Sequence, residues 1–315
     1  MTLSQPAAPR PSAWRSAAYL SAYAVSRIVP KQAGFVIADT ASFCAHQLKH
    51  RERQGVCRNL AAVLGSTPDS QSVKAAARNV YRKFGRSCVE LLYGTKHSAG
   101  PVLPDLEIQG MAMFDQALSE KRGVVLAAAH SGAWELGALA LASRGYPITA
   151  LAHPPAAGAA GLYERHRERA GLRALPASGG AFRCLSVLRS GGALGIVADR
   201  RFGAPGIRTE FFGRSTLLPQ GAARLAVCAG SPVIGAALRL GAGTAGRPLL
   251  RFFGRLDPAS AARADAVPAL QQELAALLER MIVEAPEEWY CFEDLWGPIT
   301  GSSSLAARPS TKALV

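Results

Sequence analysis

From Pro101 onward the chain alternates short apolar runs with stretches of helical periodicity. "LEIQG" precedes Met111 to Glu120, "GVVLAAA" precedes Trp134 to Ser143, and "ITALA" and "GALGIVA" follow. Strand and helix alternating in this way argue for βαβ units and an α/β fold with a mostly parallel central sheet flanked by helices. Ligands of such sheets sit beyond the carboxyl ends of the strands. His130, directly after "GVVLAAA", lies at such an end.

The part before Pro101 has a different rhythm. Helical periodicity runs from Ser12 to about Gly94, interrupted at Pro30 and by a loop at Ser66 to Pro68. Val73, Ala76, Ala77, Val80, Phe84, Cys88 and Leu91 recur at spacings of mostly three and four, which marks a helix buried on one side. The expected organisation is a leader over 1–11 and one domain over 12–298, helical in 12–100 and α/β in 101–298, with a flexible tail over 299–315. Within it, the stretch from Ala198 to Pro219 reads as a strand end running into a long, Gly- and Pro-punctuated loop with four arginines. Leu270 to Val283 reads as a helix, and "EEWYCFEDLW" as an aromatic closing element.

At 315 residues, 49% of them hydrophobic, the chain can bury a large core. Lys and Arg number 36 against 22 Asp and Glu, a formal net charge of +14. That excess suits a polyanionic partner: an acidic carrier, a phosphorylated substrate, an anionic membrane surface or a nucleic acid. No helix-turn-helix signature or RNA-binding motif accompanies the charge, so nucleic acid is not the expected partner. The cysteines at 44, 57, 88, 184, 228 and 291 form no CxxC pair, so neither a metal site nor a disulfide framework is expected, and a reducing, cytoplasmic setting fits them. No apolar run reaches the roughly 18 to 20 residues of a membrane span. A membrane role would be played lying on the surface.

The stretch "LAAAHSGAWELG", Leu126 to Gly137, carries the chemistry. Residues five apart on a helix differ by about 140° in direction, so His130 and Glu135 could meet only if the histidine precedes the helix. With Ser131 and Gly132 as the turn, Glu135 falls in the first helical turn and can reach back to the imidazole. A carboxylate on one ring nitrogen fixes the tautomer and leaves the other to take a proton. No serine or cysteine nucleophile is signalled nearby, so such a base would act directly on a substrate hydroxyl attacking an acyl donor. Spacing alone leaves a second reading open, in which Glu135 caps the helix and His130 is a hydrogen-bonded strand-end residue.

"HSGAWELG" resembles the HxxxxD/E motif of the lysophospholipid acyltransferase superfamily, in particular its bacterial lipid A acyltransferase branch, with Ala133 where asparagine is usual. Further blocks are similar and in the same order: Arg58, Asn59 and Leu60 closing a basic helix; "YERHRERAGL" with Arg167 and Gly171; and "ADRRFGAPGIRTEFFGRSTLLPQGAARLA". The resemblance implies a glycerol-3-phosphate acyltransferase-like fold and transfer of a fatty acyl chain to a hydroxyl. His130 would be the general base and Glu135 its orienter. The donor would be a thioester of acyl carrier protein or coenzyme A, and no other cofactor is implied. Asp199, Arg200, Arg201 and Arg167 would bind substrate, Arg200 suiting an acceptor phosphate or the thioester oxyanion. Trp134, Phe211, Phe212 and Gly213 would pack or wall the acyl pocket. The acceptor would be a lipid A precursor or related glycolipid, with a phosphatidylinositol mannoside-type lipid or a secondary-metabolite acceptor as alternatives, and the site of action the inner face of the cell membrane. A reading from another class is a non-catalytic, basic membrane-surface or nucleic-acid binding protein.

Overall fold

The computed structural model describes residues 13–94, 101–152, 160–176, 180–201 and 206–297; the leader over 1–11 and the tail over 299–315 lie outside them. Among the described residues the chain opens with helices α1 (Ala13–Ile28), α2 (Lys31–Leu48), α3 (His50–Val63) and α4 (Gln71–Gly94). Pro30 separates the first two, since its ring fixes φ and it offers no N–H to the preceding turn. The α/β part follows as β1 (Glu107–Gln109), α5 (Met111–Ser119), β2 (Val124–Ala128), α6 (Trp134–Ala142), β3 (Ile148–Ala152), α7 (Ala160–Arg169), β4 (Arg173–Pro176), α8 (Ala181–Arg189) and β5 (Ala193–Val197). It ends with β6 (Gly206–Phe211), β7 (Arg214–Pro219), α9 (Gly221–Ala229), β8 (Val233–Arg239), β9 (Leu249–Leu256) and α10 (Ala266–Val283).

The described sheet has seven strands in the order β1-β9-β8-β2-β5-β3-β4. All neighbours run parallel except β8 and β9, so the α/β, mostly parallel reading of the sequence is the fold of this chain. β2 lies at the centre between β8 and β5, and alternation along it divides the core. Val125 and Ala127 face one layer, with residues of α8, α9 and α10, while Val124 and Leu126 face the other, with residues of α5 and α6. A third cluster joins α3 and α4 to Trp134, Tyr290 and Phe292, so the N-terminal helices pack on the chain's last described segment.

The expected loop after Ala198 is in large part a β-hairpin, β6 paired antiparallel with β7. Phe211 pairs with Arg214 across a two-residue turn in which Phe212 (φ 49°) and Gly213 (φ 67°) both take left-handed conformations. Two positive φ values twist the chain in the sense the flanking strands require. The arginines and glycines that read as loop signals mask the alternation Thr209, Phe211 inward against Arg208, Glu210 outward.

Candidate active site

The parallel register of β2 and β5 sets Ala128 beside Val197, and Ala198 N–H donates to the Ala128 carbonyl at 2.8 Å. Both strands end here at their carboxyl edge, which brings His130 and Asp199 together although 69 residues separate them in sequence. His130 Nδ1 lies 2.6 Å from Asp199 Oδ1, and Asp199 Oδ2 accepts from the His130 main-chain N–H at 3.1 Å and from Trp289 Nε1 at 2.8 Å. Asp199 is 0% exposed. Burial pushes its carboxyl up, but the His130 charge, the ring hydrogen bond, the indole and the main-chain N–H together hold it below the ordinary aspartate value. An ionised carboxylate only accepts, so the ring proton sits on Nδ1 and the Nε2 lone pair is the basic one.

The two carboxylates make other contacts than the spacing suggested. Glu135 does stand in the first turn of α6. Its Oε1 accepts from Arg167 Nε at 2.7 Å, and the carboxylate on His130 Nδ1 is that of Asp199. Asp199, named among the substrate-binding candidates, lies buried against the histidine ring. The physical reason is the parallel pairing of β2 and β5, which offers the imidazole a buried acceptor directly below the strand end.

Arg167, on α7, is 7% exposed and meets Glu135. Arg200, next to Asp199, donates through Nε to Glu293 Oε1 at 2.9 Å. Burial alone would lower its guanidinium, but Cys291, Glu293 and Asp199 around it outweigh that and keep it firmly charged. Arg201 is half-buried at the end of a described segment, beside Gly206 of the hairpin. Trp134 meets the His130 ring edge-on with centroids 5.3 Å apart. Phe211, Phe212 and Gly213 form the hairpin turn, and the two rings pack on Trp289 at 6.1 and 6.0 Å.

The turn carrying His130 is pinned from both sides. Gly132 (φ 62°) approaches β8 so closely that a Cβ would stand 2.1 Å from the Leu238 carbonyl oxygen. Gly132 N–H donates to the Glu288 carbonyl at 3.0 Å, and Tyr290 N–H to the His130 carbonyl at 2.7 Å. Arg239, at the end of β8 and 6% exposed, donates to Ser131 Oγ at 2.8 Å and Glu288 Oε2 at 3.1 Å. Sequence reasoning did not find Trp289, Arg239 or Glu288 as site residues. The available signal was the density of aromatic and acidic residues in "EEWYCFEDLW", read only as a closing element.

The chain is similar to known proteins over most of its length. The family described as "Bacterial lipid A biosynthesis acyltransferase" matches residues 2–297. A "Phosphatidylinositol mannoside acyltransferase" of Mycobacterium tuberculosis (strain ATCC 25618 / H37Rv) is 29% identical over 312 residues, covering 93% of this chain and 93% of its own. A protein of the same name from Mycolicibacterium smegmatis is 28% identical over 248 residues, covering 76% of this chain and 78% of its own.

Proposed function

This chain belongs to the bacterial lipid A biosynthesis acyltransferase family and is an acyltransferase, and from that premise we propose that it moves a fatty acyl chain from a thioester to a hydroxyl of a glycolipid, with His130 as general base. The observation that carries the reading is the 2.6 Å contact of His130 Nδ1 with a buried, ionised Asp199 at a strand's carboxyl end. Nε2 takes the proton of the acceptor hydroxyl as its oxygen attacks the thioester carbonyl. The tetrahedral intermediate collapses, the C–S bond breaks, and the imidazolium returns its proton to the departing thiolate. Asp199 keeps the tautomer and balances the imidazolium. Arg200, and Arg167 through its tie to Glu135, contribute the positive charge that suits an acceptor phosphate or the developing oxyanion.

The donor is a thioester of acyl carrier protein or coenzyme A. The acceptor we favour is a phosphatidylinositol mannoside, because a relative aligned over 93% of this chain bears that name. A lipid A precursor is the second reading and rests on the family's description. The enzyme would work from the cytoplasmic face, lying on the membrane. No helix among the described residues is long and apolar enough to cross one.

Purified protein given palmitoyl-coenzyme A or an acyl carrier protein thioester should release thiol faster with phosphatidylinositol mannoside than with a lipid A precursor, and mass spectrometry should find the acylated glycolipid. His130→Ala should lose on the order of 10² to 10⁴-fold in turnover. Undiminished transfer by that variant would rule out His130 as the base, and preference for the lipid A precursor would replace the favoured acceptor with the second.

A further inference from the structure

The ten residues after Ala285 belong to no strand of the sheet, yet they touch both members of the dyad. Residues 288–290 hold the main chain of His130 and Gly132 through the Gly132-to-Glu288 and Tyr290-to-His130 hydrogen bonds, with Ser131 and Trp289 facing as an isolated antiparallel bridge. From the same three residues the Trp289 indole reaches Asp199 Oδ2 at 2.8 Å. We propose that Trp289 is a positioning residue for acyl transfer, and that Asn59 and the Phe211–Gly213 turn act on the reaction through it; this rests on the reading of His130 as general base.

The reasoning starts from the carboxylate. For Oδ1 to face the imidazole, the Asp199 carboxyl must hold one rotation about its Cβ–Cγ bond, a soft torsion. Rotation is fixed by what grips Oδ2: the indole N–H at 2.8 Å and the longer His130 main-chain contact at 3.1 Å. The indole is the shorter and is 2% exposed, so no water competes for it.

The indole in turn is packed on one side, and the chain that follows it is tied down on the other. Phe211 and Phe212 pack on its rings, and the Phe212 main-chain N–H donates to Glu279 Oε1 of α10, which fixes the turn. On the other side Asn59, 1% exposed, gives both its amide protons to the carbonyls of Cys291 (3.0 Å) and Glu293 (2.7 Å) and accepts from Leu295 N–H (3.1 Å). Arg58 adds an ion pair to Asp294 at 2.6 Å. The Arg-Asn-Leu stretch thus ties down the segment that follows Trp289, and the Phe-Phe-Gly turn packs on Trp289 itself. Packing alone would be met by a bicyclic ring of the same shape without the N–H, whereas phenylalanine removes part of the ring as well.

The test removes that N–H, in the isostere with the bicyclic shape kept and in phenylalanine with part of the ring lost as well. Trp289→Phe, and as a closer isostere 3-benzothienylalanine incorporated at position 289, are compared with the parent in thiol release from palmitoyl-coenzyme A with phosphatidylinositol mannoside as acceptor. Roughly a tenfold fall in kcat with KM little changed is expected from losing one hydrogen bond to a carboxylate. In the substrate-free protein, the low-field proton resonance of His130 Nδ1 should shift or broaden away. Asn59→Ala should give a smaller fall of the same kind. If Trp289→Phe does not fold, the isostere carries the test. A kcat within twofold of the parent together with an unmoved Nδ1 resonance would reduce Trp289 to packing and overturn the proposal. Full turnover by His130→Ala would instead unseat the base, and the substrate-free resonance would still report whether the indole sets Asp199.

Discussion

Two carboxylates near one histidine are separated by their surroundings, and this separation makes a sharp prediction. Asp199 is buried and held ionised below the imidazole, whereas Glu135 shares its charge with Arg167 on the neighbouring helix. Asp199→Asn presents an amide that satisfies either ring nitrogen and no longer dictates the tautomer, so kcat should fall by about 10² to 10⁴-fold with the fold intact. Glu135→Gln weakens the hold on Arg167 and should show chiefly as a raised KM. Steady-state kinetics of the pair decide between them: equal kcat losses would mean that Glu135 also acts on His130. Gly132 offers a second test at this scale. Its φ of 62° and the 2.1 Å approach a Cβ would make to the Leu238 carbonyl leave no room for alanine. Gly132→Ala must displace the turn that carries His130, and activity should be lost together with several degrees of melting temperature.

At the scale of elements, the clasp between α3 and the closing segment is built from Asn59, whose three hydrogen bonds all go to main chain. At about 1 kcal/mol each, with carbonyls left buried on removal, Asn59→Ala should cost about 2 to 4 kcal/mol in denaturant unfolding. A second clasp joins the end of α5 to β9, where Arg255 and Arg122 hold Glu120 down to about 2. A depressed carboxyl stabilises the fold fully above its ordinary value near 4.5 and loses that contribution as pH falls toward 2. Glu120→Gln should therefore be less stable than the parent at pH 7 and converge with it in acid, a small effect because the site is open to solvent. These elements also mark what the sequence makes legible. The runs "GVVLAAA" and "GALGIVA" are read as strands because a buried strand must be apolar on both faces, and their parallel pairing would put Asp199 near His130. The hairpin at 206–219 is not, since its positive-φ turn falls on a phenylalanine, a residue that gives no turn signal. The hydrogen bonds of Asp199 to His130 and of Trp289 to Asp199 are not either, because contacts across 69 and 90 residues leave no trace in local spacing.

Across the whole molecule, charge and exposed apolar surface are arranged together. The exposed residues of α2, from Gln32 to Leu48, include no charged side chain, and among them Val36 (67%), Phe43 (61%) and Leu48 (82%) are left to solvent. Ile28 at the end of α1 is 85% exposed, and Lys49 and Arg51, next after α2 in the chain, are exposed as well. With a net charge of +14, that surface has the composition of an interfacial anchor: apolar side chains entering the headgroup boundary and cations meeting anionic lipid. Each large side chain transferred would contribute up to about 1.5 to 3 kcal/mol, and each nearby cation about 1 kcal/mol. Co-sedimentation with vesicles containing phosphatidylglycerol should retain the protein, and salt should weaken but not abolish retention, because screening over about 8 Å at physiological ionic strength removes only the charge contribution. A V36D/F43D/L48D variant should release the vesicles while keeping its melting temperature, as those side chains pack little in the folded chain. Retention equal to the parent would mean that any membrane contact is made by another face.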